Sequence, residues 1–198
     1  MTSRRVAVYR MLSLAFYHPT SEAQNLWSSL SRLAGEYGFP LVCEESTKQD
    51  ARELEYEYNK LFVGPEHVLC PPYESVYRSD RSEIELGLVM GPSTNDTKKR
   101  YKEAGLEIAK DFKELPDHIA IELEFMYFLC ANEAKSKDFE EASLWRERQR
   151  EFIASHIKTW FSNFSEMLEL NAISCFYKTA AKLLKEFLSE EIEYLVAA

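Results

Sequence analysis

The 198-residue chain is long enough for one globular domain with its own core, and its 45% hydrophobic and 13% aromatic content argues against disorder. Its 33 acidic and 24 basic side chains give a formal net charge of −9, which disfavours nucleic acid or an anionic membrane surface as a partner and favours a basic one. Six glycines and seven prolines leave few turn signals, so the expected fold class is all-α rather than a sandwich or barrel of short strands.

The first third of the chain predicts three helices. Apolar residues recur at three- and four-residue steps over 4–17, again from Ser21 to Tyr37, and again over 47–62. His18 to Ser21 ends the first helix, and Gly38-Phe39-Pro40 breaks the second.

The segment 63–75 is predicted to be an irregular loop. Gly64-Pro65 and Pro71-Pro72 cannot sustain a helix, because proline lacks the amide donor and restricts the residue before it. The loop is nevertheless apolar, with Leu69 and Tyr73 among its side chains. Either the loop presents an apolar surface for binding, or its own side chains hold it against the core.

A short helix is predicted over 82–90, followed by the polar stretch 91–97. Ser93 or Thr94 is expected to cap a further helix that runs to about residue 104. We expect a single domain over 1–198, in which 91–97 is the candidate seam between two packed helical halves.

Pro116 is predicted to open the most apolar helix of the chain, which carries two apolar stripes and is therefore expected to be central. The first stripe contains Ile119, Leu123, Met126 and Cys130, and the second contains Ile121, Phe125, Phe128 and Leu129. Helices over 139–161 and 173–195 complete a compact bundle of about 8–11 helices.

No catalytic constellation is apparent in the sequence. There is no glycine-rich phosphate loop and no Glu-x-x-His pair of the kind that builds a metal site in a helical bundle, so neither an enzyme activity nor a metal or cofactor is expected. His156 lies on an apolar face with Phe152 and Trp160, a pattern typical of a hydrogen-bonded core histidine. Asp117 and His118 precede the central helix, where Asp117 either caps the helix or forms with His118 a polar hook for a ligand.

The cellular compartment is expected to be the cytoplasm. The four cysteines stand far apart with no CxxC pair, which predicts reduced thiols and disfavours a zinc site; they are Cys43, Cys70, Cys130 and Cys175. No apolar run approaches the roughly 20 residues that a membrane-spanning helix needs. Arg4-Arg5 resembles the start of a twin-arginine export signal, but Arg10 interrupts the apolar segment that follows and no cleavage site is present.

Four stretches, in this order, resemble the TorD/DmsD/NarJ group of redox-enzyme maturation chaperones. They are Tyr58–Pro65, Pro71–Tyr77, Leu115–His118 with Glu122–Met126, and Phe152–Trp160. The chain departs from the family pattern in having Tyr58 and Tyr73 where tryptophan is frequent, and Leu115 where an acid is usual. These departures imply a binding pocket that is slightly different in shape and locally less acidic.

The resemblance implies an all-helical cytoplasmic chaperone, not an enzyme, whose partner is the catalytic subunit of a molybdopterin-containing oxidoreductase. It implies that the chaperone binds the subunit's twin-arginine signal peptide and delays export or assembly until the cofactor is inserted. The peptide-binding residues it implies are Tyr58, Leu61, Phe62, Pro72, Tyr73, Asp117 and His118, and Glu74, Ser75, Tyr77 and Glu122 match the same motifs. Leu61, Phe62, Pro72 and Tyr73 are expected to form the walls of an apolar groove, in which Asp117 meets the arginines.

Two other functions stay open at this point. The protein could be a general assembly factor that grips the folded client independently of a signal peptide, or a weak nucleotide-binding enzyme. The sequence leaves the choice between monomer and homodimer open.

Overall fold

The structure is a computed structural model that describes residues 2–38, 49–64, 67–78, 90–108 and 113–196. The regular elements within these ranges are all helical, which confirms the all-α prediction. The α-helices are α1 (Thr2–Phe16), α2 (Ala23–Glu36), α3 (Ala51–Tyr58), α4 (Glu74–Tyr77), α5 (Pro92–Glu103), α6 (Ile119–Lys135), α7 (Phe139–Ser155), α8 (Phe161–Asn171) and α9 (Cys175–Val196). A π-helix (Asn59–Val63) continues α3, and a 3-10 turn (Ile157–Thr159) separates α7 from α8.

Several boundaries differ from the sequence prediction. The central helix α6 begins with Ile119 after an N-cap at His118, one turn later than the predicted start at Pro116. Helix α5 begins with Pro92 after Gly91, so neither Ser93 nor Thr94 caps it. Both side chains are buried instead. Of the helix predicted over 82–90, residues 82–89 lie outside the described residues, and Met90 lies in a turn before α5.

The predicted helix 139–161 is two helices. The chain leaves the α-helical conformation at His156, where φ is −118° and ψ is −82°, and the separate helix α8 follows. No proline or glycine marks this break. Its physical cause is a buried contact of His156 that belongs to the candidate site described below.

The core is built around α6, which packs along α1 on one side and α7 on the other, while α8 packs along α9. The buried apolar residues of the described segments form one contiguous cluster that runs from Val8 in α1 to Leu195 in α9. The proline-rich loop belongs to this assembly. Cys70 is fully buried, and its amide donates a 2.8 Å hydrogen bond to the Leu61 carbonyl, so the loop is pinned onto the core.

A buried ionic network ties α1 to α6, α7 and α9. Arg5 Nε lies 2.6 Å from Glu191 Oε1, and Arg5 Nη1 lies 3.3 Å from Glu133 Oε2. Gln149 Oε1 accepts a hydrogen bond from Arg5 Nη2 at 2.7 Å, and the Tyr9 hydroxyl donates one to Glu191 at 2.8 Å. The arginine pair that resembles an export signal is therefore part of a core-packed helix.

The cysteines follow the expectation in part. Cys70 and Cys130 are free and buried. Cys175 is disulfide-bonded, so the expectation of reduced thiols is wrong for this residue, because spacing along the chain does not reveal which cysteines the fold brings together. Cys43 lies outside the described residues. Among the described helices, none combines the length and the apolar character that crossing a bilayer requires.

Candidate functional site

The proline-rich loop and the turn before α6 lie side by side, so the fold brings two of the sequence motifs together. Tyr73 and His118 form an isolated antiparallel bridge. Beside it, the Ile119 amide donates a hydrogen bond to the Pro72 carbonyl at 2.8 Å. This pairing fixes the start of α4 against the start of α6.

The side chains of Asp117 and His118 satisfy backbone amides at these two helix starts. Asp117 Oδ2 accepts a hydrogen bond from the Ser75 amide at 3.0 Å, and His118 Nδ1 accepts one from the Ala120 amide at 3.1 Å. It is therefore His118, not Asp117, that caps α6, and Asp117 caps α4. Burial lowers the pKa of His118 to about 3, so the imidazole is neutral at physiological pH. In this structure the two residues hold backbone in place and are not exposed to a ligand.

Tyr73 is the half-exposed member of the paired turn. Its hydroxyl donates a 2.6 Å hydrogen bond to Glu114, and the edge of its ring contacts His118 with the centroids 5.3 Å apart. Of the eleven residues that the resemblance implies, Tyr73 and Tyr77 keep exposed surface, whereas the others are buried: Tyr58, Leu61, Phe62, Pro72, Glu74, Ser75, Asp117, His118 and Glu122.

The first motif faces the core. Tyr58 and Phe62 contact each other with ring centroids 5.0 Å apart, and Phe62 lies edge-on to Tyr177 of α9 at 5.6 Å. Leu61 is 1% exposed and Phe62 4%. These side chains, expected as groove walls, hold the π-helical segment onto α9.

A buried polar cluster joins α4 to the α7–α8 break. Glu74 Oε1 binds Arg78 at 2.5 Å, and Glu74 Oε2 lies 2.8 Å from His156 Nδ1. The Trp160 indole donates a 3.2 Å hydrogen bond to Glu122, and a carboxylate oxygen of Glu122 lies within 4.8 Å of one of Glu74. His156 is thus the hydrogen-bonded core histidine that the sequence predicted, but its partners are far away in sequence and carry no local signal.

The pKa values of the two carboxyl groups of the cluster are shifted in opposite directions. Burial, together with the neighbouring charges of Glu74 and Asp117, raises the pKa of Glu122 well above its ordinary value. Burial acts in the same direction on Glu74, but the hydrogen bond from His156 and the charge of Arg78 outweigh it, and the pKa of Glu74 is lowered. The surroundings therefore favour the neutral form of Glu122 and the charged form of Glu74.

This cluster is also the described group that comes nearest to a metal-ligand set, because one ligand atom each from Glu74, Glu122 and His156 lies within 4.8 Å of the others. Arg78 already pairs with the charged Glu74. An ion would have to compete with that guanidinium and with the proton of Glu122, so the donor set fits a hydrogen-bonded cluster better than a cation.

A mostly apolar groove lies beside the turn that precedes α6. It encloses a cavity of about 350 Å³. Its apolar lining comes from the end of α5 and the residues after it, and from α6, through Tyr101, Leu106, Ile108, Ile121, Phe125 and Phe128. The carboxylates of Glu107 and Glu124 line it as well. The sequence indicated only part of this surface, as the second apolar stripe of the central helix.

Tyr101 connects the groove to the turn that precedes α6. The Tyr101 hydroxyl donates a 2.8 Å hydrogen bond to the Pro116 carbonyl, and the Tyr101 ring packs on Phe125 with centroids 4.6 Å apart. Burial raises the pKa of Tyr101, so the hydroxyl stays a donor. The turn at Pro116 to His118 thus positions the groove without lining it.

Comparison with known proteins relates this chain to one protein family. The family model described as "Nitrate reductase delta subunit" matches residues 19–166. Proteins named Chaperone protein TorD are similar over most of the chain. The one from Vibrio cholerae serotype O1 (strain ATCC 39541) is 25% identical and the alignment covers 96% of this chain and 91% of the relative. The one from Shewanella loihica is 26% identical, with coverage of 98% and 93%.

A solved structure is similar as well. It is the crystal structure of an Archaeoglobus fulgidus protein described as a redox enzyme maturation protein, with a TM-score of 0.57 and 25% identity, and it covers 93% of each chain. The relatives' name, chaperone, denotes a non-enzymatic role and agrees with the prediction that this protein is not an enzyme.

Proposed function

The chain belongs to the nitrate reductase delta subunit family of redox-enzyme maturation chaperones, and from this premise we propose that it binds the twin-arginine signal peptide of a molybdopterin-containing oxidoreductase catalytic subunit. In this proposal the protein works in the cytoplasm and holds the subunit back from export or assembly until the cofactor is inserted. The observation that carries the proposal is the apolar groove with its two carboxylates, Glu107 and Glu124.

The chemistry of such a peptide is complementary to the groove. A twin-arginine signal combines a basic segment with an apolar segment that can become helical, and an amphipathic helix in an apolar groove is a common recognition mode. The cavity of about 350 Å³ is near the lower limit for ligand sites, so it suits a few anchoring side chains rather than a whole helix. The net charge of −9 favours approach of the basic segment.

The motif residues take two roles in this proposal. Tyr73 and Tyr77 keep surface with which a peptide can make contact, whereas buried residues such as Asp117 and His118 fix the turn that supports the groove. Release of the peptide before export requires reversible binding, so we expect a micromolar dissociation constant, about −8 kcal/mol.

Calorimetric titration with a twin-arginine signal peptide from a molybdoenzyme of the same organism tests the proposal. Micromolar binding is expected, and the absence of heat at concentrations near 100-fold above that range would reject it. Co-purification with the client distinguishes this proposal from the alternative, a general assembly factor. A client that lacks its signal should be lost from the complex, whereas retention of that client would favour a grip on the folded subunit.

A further inference from the structure

Each carboxylate oxygen of Glu124 in α6 already has a partner on the groove side of the molecule. Its Oε1 lies 2.7 Å from Arg10 Nη1 of α1, and its Oε2 accepts a 2.6 Å hydrogen bond from the Tyr17 hydroxyl. The same guanidinium lies over the ring of Tyr127, with Cζ 5.4 Å from the ring centroid. A carboxylate and an aromatic face together form a recognition site for a guanidinium.

This site is continuous with the groove but its present occupant comes from outside it. Tyr17, Glu124 and Tyr127 all line the groove. Arg10 reaches them from α1, and the ion pair is open to solvent, with side-chain exposures of 41% for Arg10 and 42% for Glu124. An exposed pair of this kind contributes little stability and can be exchanged at small cost.

We propose that Glu124, Tyr17 and Tyr127 form a guanidinium subsite of the groove, and that an arginine of the bound peptide takes the place of Arg10 there. The inference rests on the proposed function, because it names the residues that read the basic part of the peptide. Both oxygens of Glu124 are occupied in the free protein, one by a neutral hydroxyl and one by a cation. When the peptide's guanidinium replaces that of Arg10, the Glu124 carboxylate is ion-paired both before and after the peptide binds.

A second arginine has a partner available. Glu107 lines the same groove, is exposed, and forms no ion pair with any other described residue. The subsite therefore offers one preorganised carboxylate at Glu124 and one open carboxylate at Glu107. That pattern fits a peptide with two neighbouring arginines better than one with a single cation.

The exchange is tested by removing the Arg10 guanidinium, which competes with the peptide's arginine for Glu124. We expect Arg10→Gln to bind the twin-arginine peptide about two- to fivefold more tightly than the natural chain, the range that corresponds to loss of one exposed ion pair. The matched control is Arg4→Gln, which makes the same charge change on the same helix and removes a similar ring contact, that of Arg4 with Tyr37 at 4.6 Å. It should change the affinity much less than Arg10→Gln does. A peptide with both arginines replaced by glutamine should bind Arg10→Gln and the natural chain equally.

Two results would overturn the exchange. One is an affinity for the twin-arginine peptide that Arg10→Gln leaves unchanged or lowers. The other is a Glu124→Gln variant that still distinguishes the twin-arginine peptide from its glutamine version as strongly as the natural chain does. Failure of the proposed function has a different signature, since neither peptide would then bind the natural chain or any variant, although urea unfolding shows that all of them are folded.

Discussion

The protonation of Glu122 gives the site a measurable pH signature, which replacement by glutamine should remove. Glu122 is fully buried, accepts a hydrogen bond from Trp160 and lies within 4.8 Å of the Glu74 carboxylate. A glutamine keeps the shape, the donor and the acceptor, so the substitution changes only whether the group can ionise. In the unfolded chain the carboxyl ionises near its ordinary pKa of 4.5, whereas in the folded protein its pKa is raised.

The sign follows from proton linkage. Above pH 4.5 the folded state binds one proton more than the unfolded state at this residue, so the free energy of unfolding falls by about 1.4 kcal/mol per pH unit until the raised pKa is reached. Glu122→Gln lacks this loss. Relative to the natural chain, the variant should therefore gain about 1.4 kcal/mol of stability per pH unit on going upward from that pH. Glu74, whose pKa is lowered, contributes the opposite dependence as pH falls, and does so in both proteins.

Urea unfolding, followed by tryptophan fluorescence between pH 4.5 and 7, measures the difference directly. The control is Glu193→Gln on the exposed face of α9, which makes the same substitution away from the buried cluster and should not reproduce the pH profile of Glu122→Gln. Parallel pH profiles for Glu122→Gln and the natural chain would mean that Glu122 is ionised in the folded protein, and would refute the assignment of the buried proton.

Two further substitutions test the scaffold, both by urea unfolding. Gly64→Ala should lower the free energy of unfolding by about 1–3 kcal/mol, because φ is +56° there and a Cβ would lie 2.7 Å from a backbone oxygen. The control is Gly35→Ala in α2, where a Cβ would meet nothing within 4 Å, and it should be neutral or stabilising. Equal effects of the two substitutions would contradict this. Arg5→Gln should lower the free energy of unfolding by about 3–5 kcal/mol, because Glu191 is left buried without its cation. The control is Arg4→Gln at an exposed position, where the loss should be less than about 1 kcal/mol. A small loss for Arg5→Gln would mean that the network contributes little to stability.

The sequence predicted the fold class and most helices because amphipathic periodicity is a local property. It could not predict the break after α7. Residues 139–161 keep a helical pattern with no proline or glycine, and the helix ends at His156 because that side chain is buried against Glu74, 82 positions earlier. Such a contact between distant residues overrides local preference.

The candidate site shows the same limit. The resemblance selected residues that the fold does bring together, such as Tyr73 and His118, but it could not reveal that most of them are buried. The groove combines Tyr17, which follows α1, with the end of α5, the residues after it and α6, and only the Ile121 to Phe128 stripe was visible as a pattern in one helix. Glu107 carried no sequence signal, and Glu124 lies within the resembling stretch Glu122–Met126 but had no spacing that singled it out.

The measurement that tests the central claim most directly is a titration of the signal peptide against two matched serine variants. Phe128 lines the groove, whereas Phe139 is 81% exposed at the start of α7 and does not line it. We expect Phe128→Ser to weaken binding about tenfold or more, by loss of an apolar anchor, and Phe139→Ser to leave the affinity unchanged. Equal affinities for both variants and the natural chain, at equal stability, would contradict the assignment of the groove as the peptide site.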